Sequence, residues 1–135
     1  MMVLEEDIGV FSCGRLTSER CQNKMIRKFG ETSLVDIFLS KLKTLDSNTF
    51  FAGYDHIFKE KCEKYGIDFI QRTKESSNSE VAKDIYNFLD KVDYKYLLMV
   101  NACVPFLKLQ TIKDFTLKCD QLKKPAFAIF KKNNY

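Results

Sequence analysis

The stretch DIGVFSC, residues Asp7–Cys13, and the loop GRLTSERCQNK that follows it, residues Gly14–Lys24, decide the fold. The first stretch is a short apolar run, which is typical of a buried β-strand. The second holds three cations and two hydroxyls behind one glycine, and glycine lets a backbone approach a ligand closely. A buried strand that runs directly into such a loop predicts a phosphate-binding site at the edge of a sheet.

The side chains of this loop fit a polyanion. Arg15 and Arg20 can fork onto phosphate oxygens, and Lys24 can act as a point charge. Backbone N–H groups near Thr17 and Ser18 can form an anion nest. The loop is neither a Walker A sequence nor a dinucleotide fingerprint, because it holds a single glycine. On charge alone, a solvated basic loop is the commoner explanation of such a segment.

Beyond the loop, short apolar runs alternate with segments of helical periodicity. Such alternation predicts one domain of the α/β class, with a doubly wound, mainly parallel sheet. If the strand order begins 3-2-1-4, the loops after Cys13 and Asn101 face each other across one crevice. The predicted strands are Asp7–Cys13, Thr49–Gly53, Ile67–Gln71, Tyr96–Asn101 and a fifth beginning at Ala126–Phe130. The predicted helices are Ser33–Leu45, Asp55–Tyr65, Ser79–Val92 with Val81 facing the core, and Leu109–Leu122, while Arg72–Asn78 is a predicted polar loop.

The composition is that of an ordinary globular domain: 135 residues, 45% hydrophobic and 30% charged, with a net charge of +4. So mild an excess of positive charge suits a small polyanion as well as nucleic acid. The sequence shows no alternation of exposed aromatic and basic residues, so no nucleic-acid partner is expected. Five cysteines without a C-x-x-C pair predict free thiols. The acidic N-terminus and the shortness of the longest apolar run, Tyr96–Val100, predict a cytoplasmic protein without a membrane partner.

The spacing R-x-x-S-x-R-x-x-x-K over Arg15–Lys24 resembles the motif that opens the CMP-sialic-acid and CMP-Kdo synthetase families, and Asn23–Ile26 continues it as N-K-x-I. The resemblance covers nearly the whole chain in the right order. It implies a Rossmann-like nucleotidyltransferase fold and the N-terminal part of the catalytic domain of a CMP-sialic-acid synthetase (acylneuraminate cytidylyltransferase). Four weaker matches support it: Gly30–Leu45, Gly53–Asp55, Glu63–Arg72 and Val100–Phe106.

The resemblance also implies an activity and its residues. Arg15 and Lys24 would be catalytic and contact the phosphates of CTP, Arg72 would lie near the cytosine, and Asn101 would lie beside the nucleotide and the acceptor sugar. A hydroxyl of a sugar acid would attack the α-phosphorus, giving a CMP-sugar and pyrophosphate, with Mg²⁺ assisting. The implied nucleotide-binding residues are Cys13, Gly14, Arg15, Ser18, Arg20, Lys24, Arg72 and Asn101.

The sequence departs from these families at two places. Cys103 stands where the Kdo branch has an acidic metal ligand, and the sialic branch also lacks that ligand, which favours the sialic branch. Asn78–Glu80 replaces an expected Asp-Thr after the third strand, which leaves cytosine selectivity open.

The families also have parts that this chain lacks. The sialic branch takes its metal-binding aspartates, and a dimer arm, from beyond the position where this chain ends. The metal ligands are therefore unknown, and we expect a truncated enzyme that forms a homodimer only at full length. Two alternatives stay open: a nucleotidyltransferase acting on a different phosphorylated acceptor, and a nucleotide-binding module without catalysis.

Overall fold

Strands and helices alternate along the chain in the computed structural model, which describes residues 8–17, 20–45 and 48–127. The elements in order are β1 (Ile8–Gly14), α1 (Leu34–Thr44), β2 (Asn48–Gly53), α2 (His56–Tyr65), β3 (Asp68–Gln71), α3 (Lys74–Asn78), α4 (Ala82–Ile85), a 3₁₀ helix (Asn87–Lys91), β4 (Tyr96–Met99) and α5 (Leu109–Leu122). Within these ranges, no helix is long and apolar enough to cross a bilayer. None of the five cysteines, all of which lie within the described ranges, forms a disulfide bond.

The four strands form one sheet in the order β3-β2-β1-β4, and every pairing is parallel. The predicted parallel α/β sheet is therefore confirmed, and the order 3-2-1-4 that was considered for it is the order observed. Gly14 at the end of β1 is in register with Gly53 at the end of β2, and Phe11 is in register with Met99 at the end of β4. The loops that leave β1, β2 and β4 consequently start from one edge of the sheet, the usual ligand-binding edge of this architecture.

The central strands bury side chains on both faces of the sheet, because successive residues of a strand point to opposite sides. Val10 and Phe51 belong to the larger cluster, which the apolar sides of α1 and α2 complete. Phe11 and Phe50 stack at 5.1 Å on the other face, where Phe88 of the 3₁₀ helix meets Phe11 edge-on. Layers on both faces fix the sheet rigidly, so its carboxyl edge is a stable platform for a site.

A buried polar network joins α1 to α2. Ser33 caps α1 by accepting the backbone N–H of Asp36, and its hydroxyl donates to the Asp36 carboxylate at 2.6 Å. Lys61 and Tyr65 on α2 donate to the same carboxylate, both at 3.0 Å. Burial alone would raise the pKa of Asp36, but these hydrogen bonds outweigh it and hold that pKa below its ordinary value. The network sets the position of α1 relative to α2.

The segment between β3 and β4 differs from the prediction. Residues 72–78 are not a loop throughout, because Thr73 accepts the backbone N–H of Ser76 at 3.0 Å and so caps the short helix α3. The single helix predicted from Ser79 is broken into α4 and the 3₁₀ helix. Val81 was predicted to face the core, but its side chain is 57% exposed. The prediction missed that turn because the apolar spacing continues across the break.

Two further predictions concern the edge of the sheet at β4. The fourth strand was predicted over Tyr96–Asn101, but it ends at Met99. Among the described residues it has β1 as its single partner, and Leu97 and Met99 are 41% and 49% exposed. Of the predicted fifth strand, Ala126 and Phe127 are exposed and not in a strand, while 128–130 lie outside the described residues.

Candidate functional site

A cleft opens at the carboxyl edge of the sheet and has two connected parts. The inner compartment, of about 330 Å³, lies between the end of β1, the segment after β3 and the loop after β4. Both apolar and polar side chains line it. The lining residues are Cys13, Gly14, Arg15, Thr17, Lys24, Met25, Arg72, Ser77, Ser79, Glu80, Ile85 and Cys103.

The outer groove is larger, about 910 Å³, and more polar. It follows the first loop and ends against the segment after α3. Its lining residues are Arg15, Leu16, Thr17, Arg20, Gln22, Asn23, Lys24, Asn78 and Glu80. Because Arg15, Thr17, Lys24 and Glu80 line both parts, the inner compartment and the outer groove form one continuous cleft.

The first loop folds back on itself and gathers its cations. The backbone N–H of Asn23 donates to Leu16 at 2.9 Å, and Asn23 adopts a left-handed conformation that asparagine tolerates better than most residues. This closure brings Lys24 to the same cleft as Arg15. The side chains of Arg15, Arg20 and Lys24 are exposed and make no ion pair or hydrogen bond with any described residue. Three cations thus remain available for an anionic ligand.

Arg72 lies at the base of the inner compartment and is 96% buried, with 4% of its surface exposed. Its Nη2 donates to the Gly14 carbonyl at 2.8 Å, while its Nε has no partner among the described residues. Burial lowers the pKa of Arg72, and the neighbouring Cys13 opposes that shift. Burial likewise raises the pKa of the Cys13 thiol, against the effect of Arg72. A buried guanidinium with an unpaired N–H needs an acceptor from a ligand or water.

Gly14 serves packing on the side away from the cleft. A Cβ at this position would lie 2.8 Å from Cζ of Phe51 and 3.2 Å from Cε1 of Phe58. The glycine therefore lets two core rings pack against the last residue of β1. This packing requires a glycine whether or not a ligand approaches the backbone there, as the sequence predicts.

Helix α1 holds both walls of the cleft. Its Val35 N–H donates to the Met25 carbonyl at 3.0 Å, which fixes the end of the first loop. Lys41 Nζ donates to the Pro105 and Leu107 carbonyls, which fixes the loop between β4 and α5. The two walls meet where Cys103 Sγ lies 3.7 Å from Met25 Sδ.

The structure brings together most of the predicted site residues. Cys13, Gly14, Arg15, Lys24 and Arg72 line the inner compartment, and Arg20 lines the outer groove. Ser18 lies outside the described residues. Asn101 lies just beyond the carboxyl end of β4 but lines neither part; its side chain accepts the Cys103 N–H at 2.9 Å.

Sequence reasoning missed the wall supplied by α3 and α4. Ser77, Ser79, Glu80 and Ile85 all line the inner compartment, and Thr17 donates a hydrogen bond to Asn78 across the cleft. Two signals were available in the sequence. One was the run of small polar residues after the third strand, which falls at the ligand-binding edge of such a sheet, and the other was the departure from the related families at Asn78–Glu80.

Replacing Lys41 by methionine is expected to loosen the β4–α5 loop. The substitution keeps the apolar stem but removes both charge-assisted hydrogen bonds, each of roughly 1.5 kcal/mol or more. Hydrogen exchange at Leu107, whose N–H donates to Val104 at 3.1 Å, should become faster by about tenfold or more. Lys43→Met, at an exposed lysine of the same helix, is the control. Unchanged exchange in Lys41→Met would show that Lys41 does not anchor this loop.

No cluster of three or more histidine, cysteine, aspartate or glutamate side chains able to hold a metal occurs within 8–17, 20–45 and 48–127. In the two parts of the cleft, the described lining includes one carboxylate, that of Glu80. One carboxylate alone does not make a magnesium site, because Mg²⁺ also requires oxygen ligands from substrate phosphates and waters.

No protein-family model matches the sequence, and no curated protein matches it. The solved structures that are similar in fold include the following two. The structure of CMP:2-keto-3-deoxy-manno-octonic acid synthetase complexed with CTP has a TM-score of 0.71 at 10% identity, over 84% of this chain and 47% of that one. A cytidylyltransferase from Leptospira borgpetersenii serovar Hardjo-bovis (strain JB197) has a TM-score of 0.67 at 16% identity, over 87% and 49%. The chain has a Rossmann-like nucleotidyltransferase fold. It spans about half the length of either solved structure.

Proposed function

We propose that this chain is the nucleotide-binding part of a cytidylyltransferase, which activates an acidic sugar with CTP. The proposal rests on one observation above all. Three exposed cations, Arg15, Arg20 and Lys24, line a cleft at the carboxyl edge of the sheet, in a fold that holds CTP in one similar structure. A solvated basic loop would explain the charges but not their convergence on a cleft.

The two parts of the cleft suit the two ends of a nucleotide. The outer groove is lined by all three cations and by polar groups, so it is the place for the triphosphate, where charge-assisted hydrogen bonds are strongest. The inner compartment has apolar walls at Met25 and Ile85 and is also lined by the polar side chain of Arg72, which suits a flat ring with polar edges. Arg15 and Lys24 line both parts and would hold the phosphate at their junction.

In the proposed reaction, a hydroxyl oxygen of the acceptor forms a bond to the α-phosphorus of CTP. The bond from that phosphorus to the pyrophosphate oxygen breaks, and the hydroxyl loses its proton. This chain would contribute by positioning the nucleotide and by offsetting, with Arg15, Arg20 and Lys24, the negative charge that develops on pyrophosphate. Mg²⁺ belongs to the proposal through the family resemblance, but the described residues do not form its site, so no step is assigned to it.

The acceptor we propose is a sialic-acid-like sugar acid. The support for this choice is Cys103, a non-acidic residue that lines the inner compartment where the Kdo branch has an acidic ligand. A different phosphorylated acceptor would use the same nucleotide site, so the acceptor is tested separately with the full-length protein.

Titration calorimetry tests the nucleotide assignment directly, because the chain contains no tryptophan to report binding by fluorescence. We expect CTP to bind more tightly than ATP or GTP, and to raise the melting temperature as its concentration increases. A preference for ATP would be compatible with a nucleotide-binding fold but would contradict the assignment as a cytidylyltransferase. Binding of CTP by the full-length protein without pyrophosphate release from any sugar acid would instead identify a non-catalytic nucleotide-binding module.

A further inference from the structure

Glu80 is an unusual member of the cleft. It is the one acid among the described residues that line either part, and like Arg15 and Lys24 it lines both. Its carboxylate nevertheless makes no ion pair and no hydrogen bond with any described residue. An unpaired carboxylate within a cationic cleft is available to a ligand.

The chemistry of that carboxylate limits what it can contact. An ionised carboxylate accepts hydrogen bonds but donates none, and it is repelled by phosphate. A nucleotide placed with its phosphates on Arg15, Arg20 and Lys24 must therefore present a donor to Glu80. The donors of a cytidine nucleotide are the ribose hydroxyls and the exocyclic amino group of the ring.

The neighbouring wall favours the amino group. Arg72 also lines the inner compartment, and its buried Nε has no partner among the described residues, so this side chain is a donor beside the cleft. The Watson–Crick edge of cytosine carries two acceptors next to one amino donor. The nearby Ser79 hydroxyl is already engaged, because it accepts the Val81 N–H at 3.0 Å and donates to Asp84 at 3.2 Å. Glu80 is then the acceptor that complements the donor of Arg72. Uracil has a carbonyl oxygen where cytosine has the amino group, and this oxygen would face the carboxylate without a proton between them.

We propose that Glu80 is a base-selecting residue, whose carboxylate accepts a hydrogen bond from the exocyclic amino group of cytosine and excludes uracil. This inference rests on the proposed function, since it assumes that a nucleotide occupies the cleft. It also gives a physical reason why an acid occupies the segment in which the sequence departs from the related families.

The test compares CTP and UTP binding, by calorimetry, in the parent chain, Glu80→Gln and Glu80→Ala. The parent should prefer CTP by about tenfold or more. In Glu80→Gln, whose amide can also donate to the uracil oxygen, the preference should fall to within about threefold, mostly by tighter UTP binding. Glu75→Gln is the control, because it makes the same acid-to-amide change at a residue of α3 that lines neither part of the cleft. Melting curves establish that each variant is folded.

The alternatives give different results. If the CTP/UTP ratio is unchanged in both Glu80 variants, the inference is overturned while the proposed function stands. If Glu80→Ala weakens the binding of CTP but leaves the binding of 2′-deoxy-CTP unchanged, Glu80 contacts the 2′-hydroxyl of the ribose and the inference is wrong. If the variants weaken CTP and UTP equally, and only with Mg²⁺ present, Glu80 holds a cation instead. A parent chain that binds neither nucleotide refutes the proposed function, and the role of Glu80 with it.

Discussion

The double substitution Arg15→Ala with Lys24→Ala is expected to weaken CTP binding by about 100-fold or more. Each side chain makes a charge-assisted contact worth roughly 1.5–3 kcal/mol when it meets phosphate, so each single substitution should reduce affinity by more than about tenfold. Both positions are exposed, so the domain should remain folded. Calorimetric titration of CTP into the parent chain, the two single variants and the double variant measures these losses.

Lys28→Ala is the matched control for this series, because Lys28 is an exposed cation close to the same loop that lines neither part of the cleft. It should change CTP affinity by less than about threefold, through long-range charge alone. The losses at Arg15 and Lys24 should also shrink at high salt, since screening weakens an exposed ion pair. Equal affinities of the double variant and the parent would exclude these residues from the phosphate site.

The parallel α/β sheet followed from the sequence because the alternation of strands and helices depends on simple periodicities. The order 3-2-1-4 was one arrangement considered for it, and the structure has that order. Apolar runs such as Phe50–Ala52 are typical of a buried strand, and their alternation with amphipathic helices favours a parallel sheet. The carboxyl edge then becomes the ligand-binding edge by topology, so the loop after β1 could be assigned to the cleft before any coordinate was known.

The segment between Arg72 and Val92 could not be predicted in the same way. Its apolar residues continue at helical spacing, but α4 ends after Ile85, and the chain turns into the 3₁₀ helix that places Phe88 in the core. Whether a helix continues or turns at such a point depends on whether the following residues can pack into the core. That is decided by tertiary contacts, which the local sequence does not show.

The wall of the cleft shows the same limit. Glu80 belongs to a segment that departs from the related families, but its place in the lining of the cleft follows from the α3–α4 turn, which the sequence does not reveal. The role of Lys41 was hidden for a similar reason. A lysine on an amphipathic helix is usually solvated, and its two carbonyl partners lie more than sixty residues away in sequence.

Replacing Asp36 by alanine is expected to destabilise the domain by roughly 3 kcal/mol, which is the lower end of the range for removing one partner of a buried ion pair. The Asp36 carboxylate accepts from Ser33, Lys61 and Tyr65, and its side chain is 8% exposed. The substitution would leave the Lys61 ammonium without its partner; because that side chain is 23% exposed, it can turn partly toward water, which keeps the loss moderate. Urea denaturation of Asp36→Ala and of the parent measures the difference, and Glu63→Ala, at an exposed acid of α2, should lose less than about 0.5 kcal/mol.

The stabilising effect of Asp36 should depend on pH with a definite sign. Hydrogen bonds hold its pKa in the folded protein below the ordinary value of 3.8, so the folded state binds this proton more weakly than the unfolded chain does. The stabilisation is therefore complete above pH 3.8 and is lost as the pH falls through the lower, folded-state pKa. Unfolding free energies measured between pH 7 and the acid limit of the fold should show the gap between parent and Asp36→Ala constant at first and shrinking at the acid end. A gap that widens on acidification would mean that Asp36 is not held as a carboxylate by this network, and that α1 and α2 are joined by packing alone.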